Sequence, residues 1–258
     1  MARSGPVPDT ISAFINQKES SEWSAQLINA TQPEPIREMA ETLFGSLDME
    51  LPERELESLD RDTFLILRDG EVVASSPSKA IEDTLLLVNS DLYKTGSKSL
   101  DGINVPDVIQ ELSDTVFTLS GYPDAHTEKL ILTLVSRHVE QQAARSQAGT
   151  LRTSFQRLSR LNDERGTREV YEQLGQLSGL DTHVYGDPDW VPPSEFGLTV
   201  HGVRSEELRN TWFVVYCSET EADRAMLAVN DGPKTWKGYW TGNSPEIRAI
   251  DEYIKRTF

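Results

Sequence analysis

Residues 182–190 read THVYGDPDW, and two further aromatic segments follow, WFVVY at 212–216 and WKGYW at 236–240. Together they contain four of the five tryptophans of the chain. Each segment reads as a β-strand, or as the turn that leaves one, because β-branched and aromatic residues are enriched in strands. Aromatic side chains gathered on a sheet form either a large core or the wall of a binding site. These segments therefore indicate where to look for both.

The rest of the chain alternates short helical and strand patterns, which we divide into an α+β region over 1–122 and a second region over 123–258. In the first region we predict helices over 8–18, 36–44, 78–88 and 105–112, strands over 23–30 and 115–120, a hairpin over 64–76 that turns at Asp69-Gly70, and a loop over 94–102. In the second we predict helices over 125–147, 169–177 and 245–256 and strands over 182–186, 198–203, 212–217, 225–229 and 237–240. The segment 149–161 fits a strand and a helix start equally well.

The charge balance is strongly acidic, with 25 basic against 42 acidic residues and a net charge of −17. Such a surface repels phosphates, so we expect no nucleic-acid partner. We interpret the acidity as the solvated surface of a protein from a halophilic source, where salt screens the self-repulsion. An acidic docking face for a basic partner is the alternative, and it is less favoured because the acids are spread along the whole chain.

Cysteine usage and hydropathy point to a protein of a reducing compartment that does not enter a membrane. The lone Cys217 lies in an apolar strand pattern, as a small core residue does. The N-terminal residues MARSGPVPD lack the apolar segment of a signal peptide, and the longest apolar run covers only Leu85–Val88. We expect a cytoplasmic location and no membrane insertion.

Six segments carry a family resemblance: SRHVEQQAAR (136–145), SFQRLSRL (154–161), VYEQLG (170–175), HVYGDPDW (183–190), ELRNTWFVVY (207–216) and AMLAV (225–229). They resemble the DICT sensory domain, which occurs in bacterial signalling proteins and in halophilic archaea. The motif-matching residues are Phe155, Gln156, His183, Gly186, Asp189, Trp212 and Phe213. The resemblance implies an α+β fold for 123–258, with a small, mainly antiparallel sheet and packed helices.

The resemblance also implies a sensory role in signal transduction, with a link to light, in systems built from cyclic-dinucleotide enzymes or histidine kinases. The sequence has no GGDEF, EAL or kinase signature, so we expect the output to lie in a separate effector protein. We therefore predict a regulatory protein that is not an enzyme. A second copy of the chain is a further candidate partner, and the sequence identifies no cofactor.

Two groups of residues are candidates for binding the signal or the partner. The aromatic group consists of Tyr185, Trp190, Trp236, Tyr239 and Trp240, of which Tyr185, Trp190 and Trp236 could wall a pocket that stacks on a planar ligand. Trp212, which begins an apolar strand, fits a core position better. The basic group consists of Arg137, Arg152, Arg157 and Arg160, which either pair with local carboxylates or contact a phosphate-bearing ligand or an acidic partner.

Two other functions stay open at this stage. His183, Asp187 and Asp189 could serve a hydrolase as an acid–base group, although Gly186-Asp187-Pro188-Asp189 reads more simply as a turn in which aspartate caps its own backbone. Ligands for a metal ion would have to come from further places in the chain, so we predict no metal site. Alternatively, exposed tryptophans could form the interface of a homo-oligomeric assembly protein.

Overall fold

The structure is a computed structural model that describes residues 8–18, 23–45, 47, 49–84, 105–120, 130–163, 165–219, 223–233 and 235–258. The predicted loop over 94–102, the apolar run at 85–88 and the start of the helix predicted over 125–147 lie outside the described residues.

The helices and strands alternate along the chain much as the sequence predicts. The helices are α1 (Ile11–Asn16), α2 (Glu34–Gly45), α3 (Asp107–Glu111), α4 (Leu130–Ser146), α5 (Arg160–Asp163), α6 (Arg165–Gly175), α7 (Glu206–Arg209) and α8 (Ser244–Thr257), and residues 78–84 are helical as well. The strands are β1 (Trp23–Ile28), β2 (Glu53–Arg54), β3 (Thr63–Arg68), β4 (Glu71–Pro77), β5 (Val116–Ser120), β6 (Gly149–Arg157), β7 (Leu180–Asp187), β8 (Thr199–Gly202), β9 (Thr211–Cys217), β10 (Arg224–Gly232) and β11 (Thr235–Thr241).

The N-terminal region forms a four-stranded sheet in the order β2-β1-β3-β4. The β3–β4 hairpin turns at Asp69 and Gly70, whose φ angles are +53° and +83°. An Asp-Gly pair tolerates this left-handed backbone, so the predicted hairpin is confirmed. The strand β2, which pairs in parallel with β1, is not among the strands predicted from the sequence.

A seven-stranded sheet in the order β5-β11-β10-β9-β6-β7-β8 forms the larger part of the fold. Its pairs from β5 to β6 are antiparallel, and β6, β7 and β8 are parallel to one another. The predicted α+β class with a mainly antiparallel sheet is confirmed. The strand β5 pairs with β11, so this sheet takes a strand from the region before residue 123; the division of the chain at that residue stays a prediction.

Two hydrophobic cores cover the two faces of the large sheet, because successive strand residues point to opposite faces. The first face carries Val214, Met226 and Trp236 and is continuous with the core of the N-terminal sheet and with helix α4. The second face carries Tyr185, Phe213 and Tyr239 and is covered by α1 and α8. Cys217 is buried, as predicted for a core residue. Among the described residues, no helix is both long and apolar enough to cross a membrane.

Candidate functional site

Strand β6 ends in a β-bulge that sets the geometry of the site. Ser154 pairs with Tyr185 and Arg157 pairs with Asp187, so β6 advances three residues where β7 advances two. The extra residue, Gln156, has a φ of +43°, a left-handed conformation that is strained for a glutamine. Bulges redirect side chains near sites, and this one lies at the carboxyl ends of the parallel strands β6 and β7.

The side chain of Gln156 holds the bulge in place. It is 7% exposed, and its Nε2 donates to the carbonyl of Thr211, which begins β9, at 2.8 Å. Its Oε1 accepts a hydrogen bond from Nη1 of Arg160 at the start of α5. The strained residue therefore connects β6 to β9 and fixes the position of one arginine.

The loops after β6 and β7 are joined by Asp189. Its carboxylate accepts hydrogen bonds from the backbone N–H of Ser159 at 2.9 Å and from the Ser159 hydroxyl at 2.7 Å. Burial acts to raise the pKa of Asp189, but these hydrogen bonds lower it more, so the pKa lies below its ordinary value. The carboxylate also accepts a hydrogen bond from its own backbone N–H, as predicted for the turn, while its contact with a residue 30 positions earlier in the chain was not predicted.

An open cleft of about 270 Å³ lies beside the bulge and is lined by Gln156, Arg157, Arg160, Asp187, Arg209 and Trp236. We call it the bulge cleft. Its residues come from the ends of β6 and β7, from α5 and α7, and from the start of β11. Three of them are cationic at neutral pH and one is anionic, the reverse of the balance in the whole chain.

The acidic member of the bulge cleft, Asp187, is paired with arginines. Both Nε and Nη2 of Arg209 approach its Oδ2, at 3.1 and 2.5 Å. Arg204 lies 3.7 Å from its other oxygen. The side chains of Arg204 and Arg209 are more than half exposed, so solvent screens both ion pairs.

A larger hollow of about 960 Å³ lies at the β1–β2 edge, lined by Glu53, Arg54, Glu55, Glu57 and Arg61 together with Asn29, Ala30, Thr31, Leu56 and Leu59. Three carboxylates against two arginines give it the acidic character of the general surface. The bulge cleft is therefore the better candidate for a selective site, because its charge differs from its surroundings.

A family model matches residues 107–230, and its description is the sensory domain in diguanylate cyclases and two-component systems, or DICT. Residues 107–230 belong to the DICT family. The DICT segment includes Gln156, Arg157, Arg160, Asp187 and Arg209 of the bulge cleft, and only Trp236 lies beyond its end.

No curated protein matches the chain significantly. Among solved structures, the chain is similar to polyphosphate kinase from Porphyromonas gingivalis at 9% identity and a TM-score of 0.34, over 59% of this chain and 25% of that one. The chain thus spans about a quarter of that enzyme. A second similarity, to the first two thioredoxin domains of Naumovozyma dairenensis Eps1p, has 11% identity and a TM-score of 0.20, over 100% of this chain and 99% of that one.

The bulge cleft brings together five of the residues singled out in the sequence: Gln156, Arg157, Arg160, Asp187 and Trp236. The sequence placed Trp236 in an aromatic group and the arginines in a basic group, and it missed Arg209. Arg209 lies in the matching segment ELRNTWFVVY, directly before β9. Only the sheet order, with β9 next to β6, reveals that it meets Arg157 and Arg160.

The other two predicted arginines lie away from the cleft. Arg137 is buried and pairs with Glu140 at 2.7 Å. Arg152 is buried beside Tyr185 of the second core, where its Nε donates to Asp251 at 2.5 Å and its Nη1 to the hydroxyl of Tyr185 at 2.8 Å. The grouping of Arg152 with Arg157 and Arg160 is wrong, because Arg152 is held in this buried ion pair and does not line the bulge cleft.

The pocket predicted from Tyr185, Trp190 and Trp236 is not formed. Tyr185 lies in the second core and Trp236 in the first, on opposite faces of the sheet. Trp190 is half-buried and contacts Phe196 edge-to-face, with ring centroids 6.5 Å apart. The prediction of this aromatic wall failed because residue type alone does not determine which residues of neighbouring strands share a face of the sheet.

The closing aromatic strand is buried, and its Trp236 also lines the bulge cleft. Trp236 and Trp240 are each 5% exposed and Tyr239 is fully buried. The Tyr239 hydroxyl donates to Asp114 at 2.9 Å, and Trp240 packs against Phe117 with centroids 5.4 Å apart. All five tryptophans lie among the described residues and are buried or half-buried, and a homo-oligomer interface stays a prediction.

The acid–base group of His183, Asp187 and Asp189 is not assembled either. His183 Nε2 lies 2.7 Å from Asp181 and its Nδ1 lies 2.9 Å from Nε2 of His201. Asp187 and Asp189 bind Arg209 and Ser159 instead. Four residues along a strand span about 13 Å, so His183 and Asp187 cannot act on one bond. Among the described residues, no group of three or more His, Cys, Asp or Glu side chains could hold a metal ion.

The remaining motif-matching residues serve packing. Phe155 contacts Tyr171 edge-to-face at 5.0 Å, and Phe213 stacks on Phe258 at 6.2 Å. Trp212 is half-buried against the first core, close to the predicted core position. Gly186 lies where a Cβ would come within 2.9 Å of the Leu158 backbone nitrogen. These residues hold the strands that form the bulge cleft.

Proposed function

We propose that this protein is a cytoplasmic, non-catalytic sensor that binds a signal at the bulge cleft of its DICT domain and relays it to a separate effector. The sensory role follows from the family of residues 107–230. The observation that best supports the cleft as the binding place is that a strained bulge and three arginines meet inside this segment. Strained backbone conformations cluster at functional sites.

Helix α7 offers a route by which occupancy of the cleft could reach the other side of the molecule. Arg209, the last residue of the helix, lines the cleft. Glu207, its second residue, accepts hydrogen bonds from the Ile11 backbone N–H and the Tyr253 hydroxyl, each at 2.8 Å. Ile11 begins α1 and Tyr253 lies on α8. A ligand that changes the Asp187–Arg209 pair would therefore act on the contacts of α1 and α8. Relay requires that the ligand bind one arrangement better than the other.

Isolation of the protein from its own cells tests this proposal. Native mass analysis should find a bound small molecule in the wild type, which the double variant Arg157→Gln, Arg209→Gln loses. The matched control is Arg168→Gln, Arg248→Gln, which removes the same charge from two exposed arginines outside the cleft. Quantitative cross-linking should find one effector whose yield depends on occupancy of the cleft. An effector captured equally by all three proteins, with no bound molecule in any, would contradict the proposal.

The link to light is a separate part of the proposal. A protein that itself responds to visible light must carry a chromophore that absorbs at longer wavelengths than tryptophan and tyrosine. The absorption spectrum of the native protein tests this directly. A spectrum with only the protein band would remove the link to light and leave the sensory proposal intact.

A further inference from the structure

We infer that the bulge cleft binds the phosphate group of a compact phosphate monoester, an inference that rests on the proposed function in taking the cleft as the signal site. The lining residues include Arg157, Arg160 and Arg209 but only one acid, Asp187. The whole chain has 42 acidic against 25 basic residues, so this local excess of positive charge runs against the composition. A cleft of one charge sign concentrates ligands of the opposite sign.

The arginines of the cleft differ in how many of their hydrogen-bond donors are already occupied by protein groups. Arg157 is exposed, and its side chain makes no hydrogen bond or ion pair with any residue that the structure describes. Arg209 places two nitrogens on one oxygen of Asp187. The carboxylate of Asp189 lies close enough to interact with the charge of Arg157 but does not take up its hydrogen-bond donors. An incoming anion can therefore bind those donors of Arg157 and share Arg209 with Asp187.

The walls of the cleft are held before any ligand arrives. Asp189 fixes the loop after β6 through both the backbone and the hydroxyl of Ser159, and Gln156 fixes Arg160. Because these contacts do not need to form on binding, less conformational entropy is lost.

The number of arginines favours phosphate over carboxylate. A guanidinium group presents a planar fork that matches two oxygens of an anion, and a carboxylate has only enough oxygens for one such fork. Asp187 engages Arg209 through a single oxygen. A phosphate monoester carries three terminal oxygens and up to two negative charges, which suits several arginines at once.

The size and the surroundings of the cleft favour a small ligand over a nucleic acid. Its volume is about 270 Å³, and the molecule around it has a net charge of −17, which repels a polyanion that extends beyond the cleft. Trp236, which is 5% exposed, adds a small apolar surface to the lining. An organic group attached to the phosphate can pack against this surface.

Titration calorimetry of the full chain tests the inference with three probes: adenosine 5′-monophosphate, inorganic phosphate and adenosine. We expect the two phosphate probes to bind and adenosine not to bind. The double variant Arg157→Gln, Arg209→Gln should bind at least about tenfold more weakly, because it loses charge-assisted hydrogen bonds. The control Arg168→Gln, Arg248→Gln should bind as the wild type does. Circular dichroism of each variant establishes that it is folded.

The outcomes separate this inference from the proposed function. Absence of binding by both phosphate probes, or equal binding by the wild type and the cleft variant, overturns the inference. If, in addition, the cleft variant still loses the native molecule and alters effector capture, the sensory proposal stands with a ligand of another class. Phosphate binding that depends on the cleft but never changes effector capture supports the inference and counts against the relay. Binding of adenosine as tight as that of its monophosphate also overturns the inference.

Discussion

Several residues beside the bulge cleft fix the backbone around it and carry no reactive group of their own. Asp189 binds the backbone N–H of Ser159, and Gln156 binds the carbonyl of Thr211. Gly186 contributes by having no side chain at all, since β7 passes close to the turn that follows β6. The position of the arginines therefore depends on neighbours that would not contact a ligand themselves.

We predict that Gly186→Ala destabilises the fold. The new Cβ would lie 2.9 Å from the backbone nitrogen of Leu158 and 3.1 Å from the carbonyl carbon of Arg157, and backbone atoms cannot move aside as a flexible side chain does. Overpacking of this kind costs about 1–3 kcal/mol in the free energy of unfolding. Urea unfolding followed by circular dichroism measures this quantity.

The matched control is Gly45→Ala at the end of α2, where a Cβ would meet no atom within 4 Å. The same chemical change should leave stability unchanged or raise it by up to about 1 kcal/mol, because alanine favours the helix. Equal effects of the two substitutions would show that the close approach of β7 to β6 does not constrain position 186.

At the scale of elements, the sequence predicted most strands and helices but not the arrangement of β6. The Asp-Gly turn, the alternating apolar strands and the amphipathic closing helix α8 are local patterns, and all are found. The segment 149–161 was ambiguous because it contains a strand, a bulge and a helix start within thirteen positions. The left-handed Gln156 follows from contacts with β9, some 55 residues away, which no local pattern encodes.

The site was predictable only in part for the same reason. Arg157 and Arg160 are close in sequence, so their joint role could be proposed from spacing alone. Arg209 and Trp236 join them through the strand order, which brings β6 next to β9. Tyr185 and Trp236 were grouped by residue type, and the alternation of faces along each strand places them on opposite sides.

The outer strand β8 provides an element-scale prediction that depends on pH. His183 on β7 and His201 on β8 are joined at 2.9 Å, and His201 stacks on Tyr185 with centroids 4.2 Å apart. Burial lowers the pKa of both histidines below 6.5; Arg152 lowers both further, while Asp181 acts in the opposite direction on both and Asp251 does so on His183. One proton between His183 Nδ1 and His201 Nε2 forms a hydrogen bond between the two rings. When both rings are fully protonated, each of these nitrogens carries a proton and the two N–H groups repel one another.

We therefore expect the β7–β8 pairing to weaken as the pH falls below 6.5. In the unfolded chain the histidines bind protons at their ordinary pKa of 6.5, whereas in the folded protein they bind them only at a lower pH. Stability that is fully present above pH 6.5 is therefore lost as the pH falls from 6.5 through the lowered pKa values of the folded protein. Hydrogen-exchange protection factors at Thr199–Gly202 measure the effect, with β9 and β10 as the internal reference. His201→Phe retains a ring against Tyr185 and should reduce the pH dependence, leaving only the part that His183 contributes. A dependence as large as in the wild type would show that His201 does not cause it.

The whole molecule combines a well-packed interior with a surface that repels itself. Its first core runs without a break from the four-stranded sheet through α4 to the large sheet, so unfolding is expected to be cooperative across the described residues. The same molecule carries a net charge of −17, and this repulsion opposes the compact state. Salt should therefore stabilise the folded protein by screening the repulsion between its surface charges, with no effect on packing in the core.

We predict that the melting temperature at about pH 7 rises between about 0.05 M and 0.5 M NaCl, where the Debye length falls from about 14 Å to 4 Å. A gain of about 1–3 kcal/mol corresponds to roughly 3–10 °C for a chain of this size. Calorimetry in NaCl and in KCl should give the same rise, because screening depends on ionic strength and not on the cation. Near the sequence pI of about 4.6 the net charge vanishes, and the rise should shrink with it. A rise of equal size at both pH values would mean that salt acts on hydrophobic burial, and an absent rise at neutral pH would mean that the acidic groups are too far apart to repel one another.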